Sequence, residues 1–517
     1  MTDESVDKEV AAITRNGVPH YRMYIDGAWV DTSDHYEVVN PATGEICETS
    51  ARATTDHVDA AVAAAGRAFA EGSWRKTDPV ERAAIFDRAA AALSARTDEI
   101  ATTVARETGM AIRTAGALGV GFPMMHLQYF ADLTRRFDWT RSAPIAGPVL
   151  HSGYIRKEPL GVCAGITPWN FPASTAVWKS IPAMAAGNSV VLKVDEKTPS
   201  FALELAGLLH DAGLPAGVFN VIVGDGPVIG EHLVRHDDVS LISFTGSTVT
   251  GRRVMANASE SIKRVLLELG GKSANVVLDD ADIDLAVDGA IYAFALHAGQ
   301  ACESGSRLLL PASKHDEFVA RLIARLQTMK IGDPLDPATD MGAVMSPAQL
   351  KRIRDYIELG KEEGATLAYG GGTPSGPEFA QGYWVEPTVF TGVSNGMRIA
   401  QEEIFGPVLS VITYDSVDEA VEIANDSAYG LAAGVWSTDN ARAIAVAERL
   451  EAGSVWINDW HNMSQYLPFG GYKQSGIGRE LGPDSLEEFT QDKSITVDLS
   501  GDLSKRAYGI VLGTPPS

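Results

Sequence analysis

Three short motifs contain residue types that can carry out covalent catalysis: GQACESGSR holds Cys302, LELGG holds Glu268 and TPWNFP holds Asn170. A thiolate is a strong nucleophile, and a carboxylate at a strand end beside flexible glycines can act as a general base. A side-chain amide can donate a hydrogen bond to a developing oxyanion. Taken singly, each residue also has a structural interpretation: a buried small hydrophobe, a solvated strand-end charge, or an amide that satisfies turn backbone. We give Cys47 and Cys163 only the structural interpretation.

Further residues are of the kinds that bind a phosphorylated ligand. FTGST follows a predicted strand and begins a predicted helix with Ser247 as its N-cap, and helix N-termini attract phosphate. Lys193 and Glu196 follow another predicted strand, where they could hold ribose hydroxyls or form only a solvated charged loop. Gly226 and Gly230 belong to a GxGxxxG run after a strand, whose spacing departs from the usual dinucleotide-binding motif. No one of these signals identifies a ligand alone.

The elements that carry these motifs alternate regularly between strand and helix. From Gly161 to Leu267 short apolar strands alternate with helices, and a second alternating stretch runs from Ser273 to Gly482. This pattern predicts βαβ units and parallel sheets covered on both faces, with ligands bound at the carboxyl ends of the strands. Two such halves predict an α/β protein of two domains with a cleft between them.

The flanking segments have a less regular pattern. We expect the first twenty or so residues to form a loosely tied arm, followed by short strands over 22–30 and 37–39. Apolar residues at helical spacing predict Ala-rich helices between 58 and 108 and an amphipathic helix from about Gly116 to Arg136. The tail from Ser500 has too little pattern for an assignment.

Composition narrows the class of protein. The chain has 517 residues, 45% of them hydrophobic, and 67 acidic against 43 basic residues give a net charge of −24. So acidic a surface repels nucleic acid and anionic lipid. Three cysteines cannot form a disulfide framework, which indicates a reducing compartment. Since neither a secretory signal nor a membrane-spanning apolar run is found, we expect a cytoplasmic protein.

Seven motifs, read together, resemble those of the aldehyde dehydrogenase superfamily. They occur in the family's order, within a resemblance that runs from about Met23 to Val497: TPWNFP, KVDEKTP, FTGST, LELGGK, GQACESGSR, EEIFGPV and PFGGYKQSGIGRELG. Seven motifs in order do not arise by chance, so the structural interpretations of the single residues give way together. The resemblance is to the non-acylating, NAD(P)-dependent branch.

The resemblance implies an α/β fold of two doubly wound parallel-sheet domains and a small β flap for oligomerisation. The NAD-binding, Rossmann-like domain would comprise residues 1–136 and 158–270, and the catalytic domain residues 271–482. The flap and tail would comprise 137–157 and 487–517. The expected partners are a small-molecule aldehyde and further copies of the chain, as a homodimer or homotetramer, without nucleic acid or membrane.

The resemblance also implies the reaction, which oxidises an aldehyde to a carboxylic acid with NAD. Cys302 would add to the aldehyde carbon to form a thiohemiacetal and then a thioester. Asn170 and the Cys302 N–H would hold the oxyanion, and Glu268 would activate the hydrolytic water. Lys179 and Glu480 match positions that relay protons from that base. No metal site is expected.

For the cofactor, the resemblance places Lys193 and Glu196 on the adenine ribose and Ser247 with Trp169 near the pyrophosphate. Glu403 would take the nicotinamide ribose hydroxyls, with Phe405 beside the ring. The full set of expected cofactor-binding residues is Ile166, Thr167, Pro168, Trp169, Lys193, Glu196, Gly226, Gly230, Phe244, Thr245, Gly246, Ser247, Leu269, Glu403 and Phe405.

NAD is expected to be preferred over NADP, because a carboxylate at Glu196 would face the 2′-phosphate of NADP with like charge. Lys193 and Lys197 could soften this preference. The chain has Lys-Val-Asp-Glu from Lys193 to Glu196 where the family often has Lys-Pro-Ser-Glu, which leaves the shape of this loop open.

The resemblance places Phe171, Trp178, Trp460 and Phe469 along the aldehyde tunnel. Glu303, directly after the nucleophile, replaces the small or neutral residue of many members. An ionised Glu303 facing the tunnel would disfavour acidic aldehydes, although it could instead pair with a basic group. We expect medium-sized apolar or aromatic aldehydes.

Three alternatives stay open. The first is an aminoaldehyde or betaine-aldehyde-type dehydrogenase, which would hold a cation with rings and carboxylate. The second is the acylating branch, which Glu268 argues against because that branch typically lacks it. The third is a catalytically inactive NAD-binding or structural member, which the intact Cys302, Glu268 and Asn170 argue against.

Overall fold

The structure is a computed structural model that describes residues 11–144, 151–501, 506 and 508–513. Residues 1–10 of the predicted arm and 145–150 of the predicted flap lie outside the described residues. So do residues 502–505, 507 and 514–517 of the predicted tail.

The strands are numbered here in chain order. They are β1 (Ala12–Arg15), β2 (Val18–Tyr21), β3 (Met23–Ile25), β4 (Ala28–Val30), β5 (His35–Val39), β6 (Ile46–Ala51), β7 (Thr140–Ala143), β8 (His151–Pro159), β9 (Val162–Ile166), β10 (Ser189–Val194), β11 (Phe219–Val223), β12 (Val239–Thr245), β13 (Arg264–Glu268), β14 (Ala274–Val277), β15 (Arg307–Pro311), β16 (Thr366–Tyr369), β17 (Thr388–Thr391), β18 (Val408–Tyr414), β19 (Tyr429–Gly430), β20 (Ala432–Trp436), β21 (Ser454–Ile457), β22 (Tyr472–Lys473), β23 (Gly476–Ile477) and β24 (Thr490–Asp498).

The helices are numbered in the same way. They are α1 (Thr55–Ala70), α2 (Pro79–Ser94), α3 (Thr97–Thr108), α4 (Ile112–Thr114), α5 (Phe122–Arg136), α6 (Pro172–Ala185), α7 (Ser200–Asp211), α8 (Glu231–Arg235), α9 (Thr248–Ala258), α10 (Ile283–Ala295), α11 (His315–Leu326), α12 (Pro347–Glu362), α13 (Arg398–Gln401), α14 (Val417–Asn425), α15 (Asn440–Ala447), α16 (Ser485–Glu488) and α17 (Gly509–Leu512). Within the described part of the chain, no helix has the length and apolar character needed to cross a membrane.

The first large sheet has eight strands in the order β23-β13-β12-β9-β10-β11-β3-β4. Its five central strands are parallel, whereas β23, β3 and β4 pair antiparallel at the edges. Strands β9, β10 and β11 are buried along their whole length. This burial explains their continuous apolar sequences, because helices cover both faces of a parallel sheet.

The second large sheet has seven strands in the order β16-β17-β18-β15-β14-β20-β21, all parallel except β16. Alternate residues of β15 belong to different hydrophobic cores: Leu308 and Leu310 to one, Leu309 to the other. Successive side chains of a strand point to opposite faces, so this sheet has a core on each face. Two largely parallel sheets confirm the predicted α/β class.

Three smaller sheets complete the fold of the described residues: the antiparallel β7-β8-β24 sheet, a four-stranded sheet in which only β2 and β6 pair parallel, and the antiparallel pair β19-β22. Strand β24 pairs with β8 along its full length, and β7 pairs with the other edge of β8. A four-stranded sheet has the order β1-β2-β6-β5. It corrects the expectation of a loose arm, because β1 and β2 form a hairpin around Asn16 and Gly17, both at positive φ. An Asn-Gly turn is a hairpin signal in the local sequence. The pairing of β2 with β6, which is distant in the chain, cannot be predicted from the local sequence.

The predicted helix over 116–136 is longer and less regular than expected. It begins at Ile112, and a π-helical segment, Ala115–Gly121, leads into α5. The glycines of this segment, AGALGVG, lower helix propensity. This irregular segment contributes Leu118 to a cavity described below.

Candidate active site

Three of the predicted motifs meet at one edge of the eight-stranded sheet. TPWNFP follows β9, FTGST spans the end of β12 and LELGG the end of β13. The register pairs Phe244 with Ile166 and Thr245 with Glu268. Because parallel strands end at the same edge, Asn170, Thr245 and Glu268 lie on neighbouring strand ends.

Cys302 lies on a tight loop between α10 and β15. His297, Ala298 and Gly299 open this loop in the left-handed region, with φ of 49°, 52° and 70°. A Cβ at Gly299 would overlap the Gly406 carbonyl, and a Cβ at Gly271 would overlap the Cys302 carbonyl oxygen. Glycine is therefore required at both positions for the LGG and FGP segments to pack against the cysteine loop.

The Cys302 thiol lies where two cavities meet. Asn170, Thr245 and Cys302 line both of them. An aldehyde in one cavity and a ligand in the other would therefore both reach the sulfur.

The first cavity, called the aromatic cavity, is lined by the four predicted tunnel residues Phe171, Trp178, Glu303 and Phe469. The prediction for Trp460 is wrong, because this side chain is 1% exposed and does not line the cavity. Its ring packs over the Cα atoms of Gly305 and Gly434. The complete lining is Leu118, Phe122, Asn170, Phe171, Ser174, Thr175, Trp178, Thr245, Glu268, Leu296, Cys302, Glu303, His461, Met463, Phe469 and Glu480.

The second cavity, called the helix-end cavity, opens at the N-terminus of α9. Ser247 caps this helix as predicted, accepting a hydrogen bond from the Thr250 N–H. The lining is Pro168, Trp169, Asn170, Thr245, Gly246, Ser247, Thr248, Val249, Leu269, Gly270, Cys302, Gln349, Arg352, Glu403, Phe405 and Tyr429.

Eight predicted cofactor residues line the helix-end cavity: Pro168, Trp169, Thr245, Gly246, Ser247, Leu269, Glu403 and Phe405. The other seven do not line it. Ile166, Thr167 and Phe244 are buried at the ends of β9 and β12. Lys193 and Glu196 lie at the end of β10, and Gly226 and Gly230 in the π-helical turn after β11.

Two N–H donors point to oxyanion chemistry at the cysteine. Asn170 is buried, and its Nδ2 donates to the Gln300 carbonyl over 2.9 Å. An amide nitrogen carries two hydrogens, so this bond orients the group and leaves a second donor. Among the described residues, none accepts a hydrogen bond from the Cys302 N–H.

Glu268 is buried beside an ion pair. Its Oε2 has no hydrogen-bond partner among the described residues. Lys179 donates to Glu480 over 2.8 Å and to the Ser243 hydroxyl over 3.2 Å. Burial and the charge of Glu480 raise the pKa of Glu268 well above its ordinary value, and Lys179 only partly opposes this. The carboxyl therefore keeps its proton to higher pH than an exposed glutamate.

Glu303 bridges the thiol and a histidine. Its Oε2 accepts a hydrogen bond from Cys302 Sγ at 3.2 Å, and its Oε1 lies 2.8 Å from His461 Nδ1. Burial opposes the ionisation of Glu303, but the hydrogen bond and charge of His461 lower its pKa below the ordinary value. Burial and the Glu303 charge raise the pKa of Cys302 well above that of a free thiol.

Part of the wall of the helix-end cavity is formed by a carboxyl group and two aromatic rings. Glu403 Oε1 accepts a hydrogen bond from the Gly271 N–H over 3.0 Å, and burial raises the pKa of this carboxyl to about 7. The rings of Trp169 and Phe405 meet edge to face at 5.3 Å. Arg352 donates to the backbone carbonyl of Glu403 and so holds this wall in place.

Several lining residues were not predicted from the sequence. Leu118, Phe122, Met463 and His461 come from elements without a chemical motif, and their only signal is proximity in the fold. Gln349, Arg352 and Tyr429 belong to the second half of the chain and reach the helix-end cavity only after folding.

Comparison with known proteins identifies the family of this chain. The aldehyde dehydrogenase family model matches residues 29–495. The chain is 44% identical to a betaine aldehyde dehydrogenase of Mesorhizobium japonicum over 488 residues, which is 94% of this chain and 99% of the relative. It is 41% identical to a betaine aldehyde dehydrogenase of Bacillus subtilis over 476 residues, 92% of this chain and 96% of the relative.

Solved structures that are similar to this chain are also aldehyde dehydrogenases. A betaine aldehyde dehydrogenase from Staphylococcus aureus in complex with NAD⁺ has a TM-score of 0.91 at 39% identity, covering 93% of this chain and 95% of that one. An NAD⁺ complex of an aldehyde dehydrogenase from Bacillus cereus has a TM-score of 0.89 at 40% identity, covering 92% and 96%. With a family model across most of its length and these similarities, the chain belongs to the aldehyde dehydrogenase family.

Proposed function

We propose that this chain oxidises medium-sized apolar or aromatic aldehydes to carboxylic acids, with Cys302 as nucleophile and Glu268 as hydrolytic base. The chain is an NAD-dependent aldehyde dehydrogenase, as its family and the NAD⁺ complexes of its solved relatives indicate. The observation that carries the residue roles is the position of the Cys302 thiol at the junction of the aromatic and helix-end cavities.

The helix-end cavity fits a dinucleotide. The N-terminus of α9, eleven residues long, offers N–H groups and a positive dipole end to a diphosphate. The buried Glu403 carboxyl can accept hydrogen bonds from ribose hydroxyls. The second ribose would lie beyond the lining of this cavity, at Lys193 and Glu196 by the end of β10. Bound there, NAD supplies the hydride acceptor. We propose that the eight-stranded unit binds NAD and that the seven-stranded unit, within 271–482, carries the nucleophile.

Cys302 forms the bond to the substrate. Its S–H bond breaks as the sulfur adds to the aldehyde carbon, the proton passes to water, and the carbonyl oxygen becomes an oxyanion held by Asn170 Nδ2 and the Cys302 N–H. One such preorganised donor is worth about 3–4 kcal/mol in the transition state. Loss of the aldehyde hydrogen as hydride leaves the acyl group on the sulfur as a thioester.

Glu268 then removes a proton from water, and the resulting hydroxide attacks the thioester carbon. The acid leaves, and the sulfur returns as a thiol. A buried glutamate of raised pKa is a stronger base than an exposed one. Lys179 and Glu480, which also face Glu268, provide a route for its proton.

The aromatic cavity favours uncharged substrates. Among the described residues that line it, none is Lys or Arg, and Phe122, Phe171, Trp178 and Phe469 supply ring surface. Of the carboxyl groups that line it, Glu303 is paired with His461 and Glu480 with Lys179, while Glu268 has a raised pKa that favours its uncharged form. An apolar aldehyde gains from burial against these rings without leaving a charge unpaired.

A second candidate substrate is a quaternary-ammonium aldehyde. The relatives in Mesorhizobium japonicum and Bacillus subtilis carry the name betaine aldehyde dehydrogenase. Aromatic faces attract cations by about 0.5–2 kcal/mol each, and Phe171, Trp178 and Phe469 could form such a cage.

Two isosteric aldehydes separate the candidates. Betaine aldehyde carries a trimethylammonium group where 3,3-dimethylbutanal carries a tert-butyl group, so the two differ in charge and hardly in shape. We expect kcat/KM with NAD to be at least about tenfold higher for the neutral aldehyde. This ratio corresponds to about 1.4 kcal/mol in the free energy of transition-state binding. A preference of similar size for betaine aldehyde would establish the second candidate instead.

We infer that the chain forms a homodimer or homotetramer through the β7-β8-β24 sheet, and that it is cytoplasmic without nucleic-acid partners. The net charge of −24 argues against nucleic-acid partners, and the three cysteines, all free, support a reducing compartment such as the cytoplasm. Light scattering measures the molar mass of the assembly, and it compares wild type with Thr496→Pro, a change that removes a backbone donor from β24. A monomeric wild type would refute it.

A further inference from the structure

A carboxylate lies in direct contact with the proposed nucleophile. Glu303 Oε2 is 3.2 Å from Cys302 Sγ, which donates to it, while Oε1 is held by His461 Nδ1 at 2.8 Å. The side chains of His461 and Glu303 are only 2% and 5% exposed. The ring of Tyr292 packs edge to face on His461 at 5.0 Å. The carboxylate is therefore fixed from the side opposite the thiol.

The carboxyl groups near the sulfur all disfavour the thiolate. Besides Glu303, the acidic groups that face the thiol are Glu268, at the end of β13, and Glu403, after α13. No lysine or arginine side chain forms a hydrogen bond with Sγ among the described residues. A thiolate beside a carboxylate would meet like charge and would lose the hydrogen bond that only S–H can donate.

Glu303 is also a poor acceptor for the thiol proton. Its own pKa is lowered through His461, although burial opposes this, whereas the pKa of the thiol is raised by burial and by Glu303. The proton therefore stays on sulfur. Glu268 differs from Glu303 in this respect, because burial and Glu480 raise its pKa.

We propose that Glu303 and His461 act as positioning residues that hold Cys302, in the enzyme without aldehyde, as a neutral thiol directed at the Glu303 carboxylate. The thiolate is the form that reacts with electrophiles and oxidants. The pair thus protects the nucleophile between turnovers. The inference rests on the proposed role of Cys302, but it concerns the state of the thiol and not the reaction.

The test is the pH dependence of alkylation by iodoacetamide in the full-length enzyme without aldehyde or NAD. Peptide mass spectrometry separates modification of Cys302 from that of Cys47 and Cys163. In Glu303→Gln we expect the alkylation midpoint to fall by at least about one pH unit, which is about tenfold faster reaction at a pH below both midpoints. Equal midpoints in wild type and variant would overturn the proposal.

Asp459→Asn is the matched control. Asp459 precedes His461 by two residues and bonds only to the Trp460 N–H and the Asn462 amide among the described contacts. Its removal takes away one charge from the same loop without touching the thiol, so the midpoint should not move. A shift as large as that of Glu303→Gln would show a general charge effect and overturn a specific contact.

Two further measurements cover a variant that fails to fold. Glu303→Ser removes the carboxylate with a smaller side chain and should shift the midpoint in the same direction. In wild type at neutral pH, infrared difference spectroscopy against Cys302→Ala should show the S–H stretching band of a hydrogen-bonded thiol. Absence of that band would overturn the proposal even if Cys302→Ala proves the nucleophile, since loss of activity tests only the proposed function.

Discussion

Lys179 and Glu480 are 301 residues apart in the chain and form a buried ion pair with an Nζ–Oε1 distance of 2.8 Å. The side chains are 0% and 3% exposed. Lys179 lies on α6, behind the strand ends of the first sheet, and Glu480 comes from the Gly-rich segment near the end of the second half. The pair thus joins the two halves directly beside Glu268.

Removing the lysine should affect both stability and the base. We expect Lys179→Met to lower the free energy of unfolding by about 3–5 kcal/mol, because Glu480 stays buried without its partner. It should also raise the pKa of Glu268 further, since Lys179 lowers it. Urea unfolding and the pH profile of kcat measure the two effects. Lys351→Met, which breaks an exposed pair with Asp355, is the control and should cost less than about 1 kcal/mol. Equal costs would contradict the structural role.

Replacing the nucleophile should abolish the reaction but not cofactor binding. We expect Cys302→Ala to lose at least about 10³-fold in kcat, because no covalent intermediate can form. NAD binding by calorimetry should persist, since Cys302 is only one of many lining residues of the helix-end cavity. Cys163→Ala, a change inside β9, is the control for thiol loss alone. Wild-type turnover in Cys302→Ala would refute the mechanism.

Replacing the base should separate the two half-reactions. In Glu268→Gln we expect rapid mixing to show one burst of NADH per site, followed by slow steady-state turnover as the thioester accumulates. Glu268 works as a carboxylate and its pKa is raised, so wild-type kcat should still increase with pH above the range in which an exposed glutamate titrates. The variant should lack this increase. Loss of both phases would assign Glu268 chiefly to thiol activation.

Coenzyme preference should depend on Glu196. Burial opposes its ionisation, but the charge and hydrogen bond of Lys197 at 2.8 Å lower its pKa below the ordinary value. An ionised carboxylate repels the 2′-phosphate of NADP. We expect wild type to prefer NAD, and Glu196→Gln to increase the NADP/NAD ratio of kcat/KM by about tenfold, one unit of RT ln 10. Glu358→Gln, on the surface of α12, should leave the ratio unchanged. Equal use of both coenzymes by wild type would refute the prediction.

Glu303, which lines the aromatic cavity, should make the enzyme discriminate between substrates by their charge. Its lowered pKa keeps it ionised at neutral pH, so a second carboxylate in this cavity is repelled. We expect wild type to disfavour succinic semialdehyde, and Glu303→Ser to improve its kcat/KM relative to an aliphatic aldehyde and to an aminoaldehyde. Unchanged ratios across the three substrates would remove Glu303 from selectivity.

The local sequence is sufficient for the α/β class and for the motifs at strand ends. Continuous apolar strands such as β9 and β10, separated by helices and glycine turns, can form only a sheet that is buried on both faces. In such a sheet the segments that follow parallel strands meet at one edge. The alternation of strands and helices is therefore enough to place Asn170 and Glu268 at the same edge, and the folded strand order β13-β12-β9 brings them close.

Contacts between distant segments are decided only by tertiary structure. His461 carries no motif, and its contact with Glu303 joins residues 158 positions apart. Trp460, its neighbour in sequence, packs over Gly305 and Gly434 instead of lining the cavity. Side chains of adjacent residues point in different directions, and the packing of the surrounding chain selects which one reaches the site. The sequence alone thus determined which residues could do chemistry, while the packing of the two halves decided the protonation of Cys302, Glu268 and Glu303, because burial and neighbouring charges exist only in the folded chain.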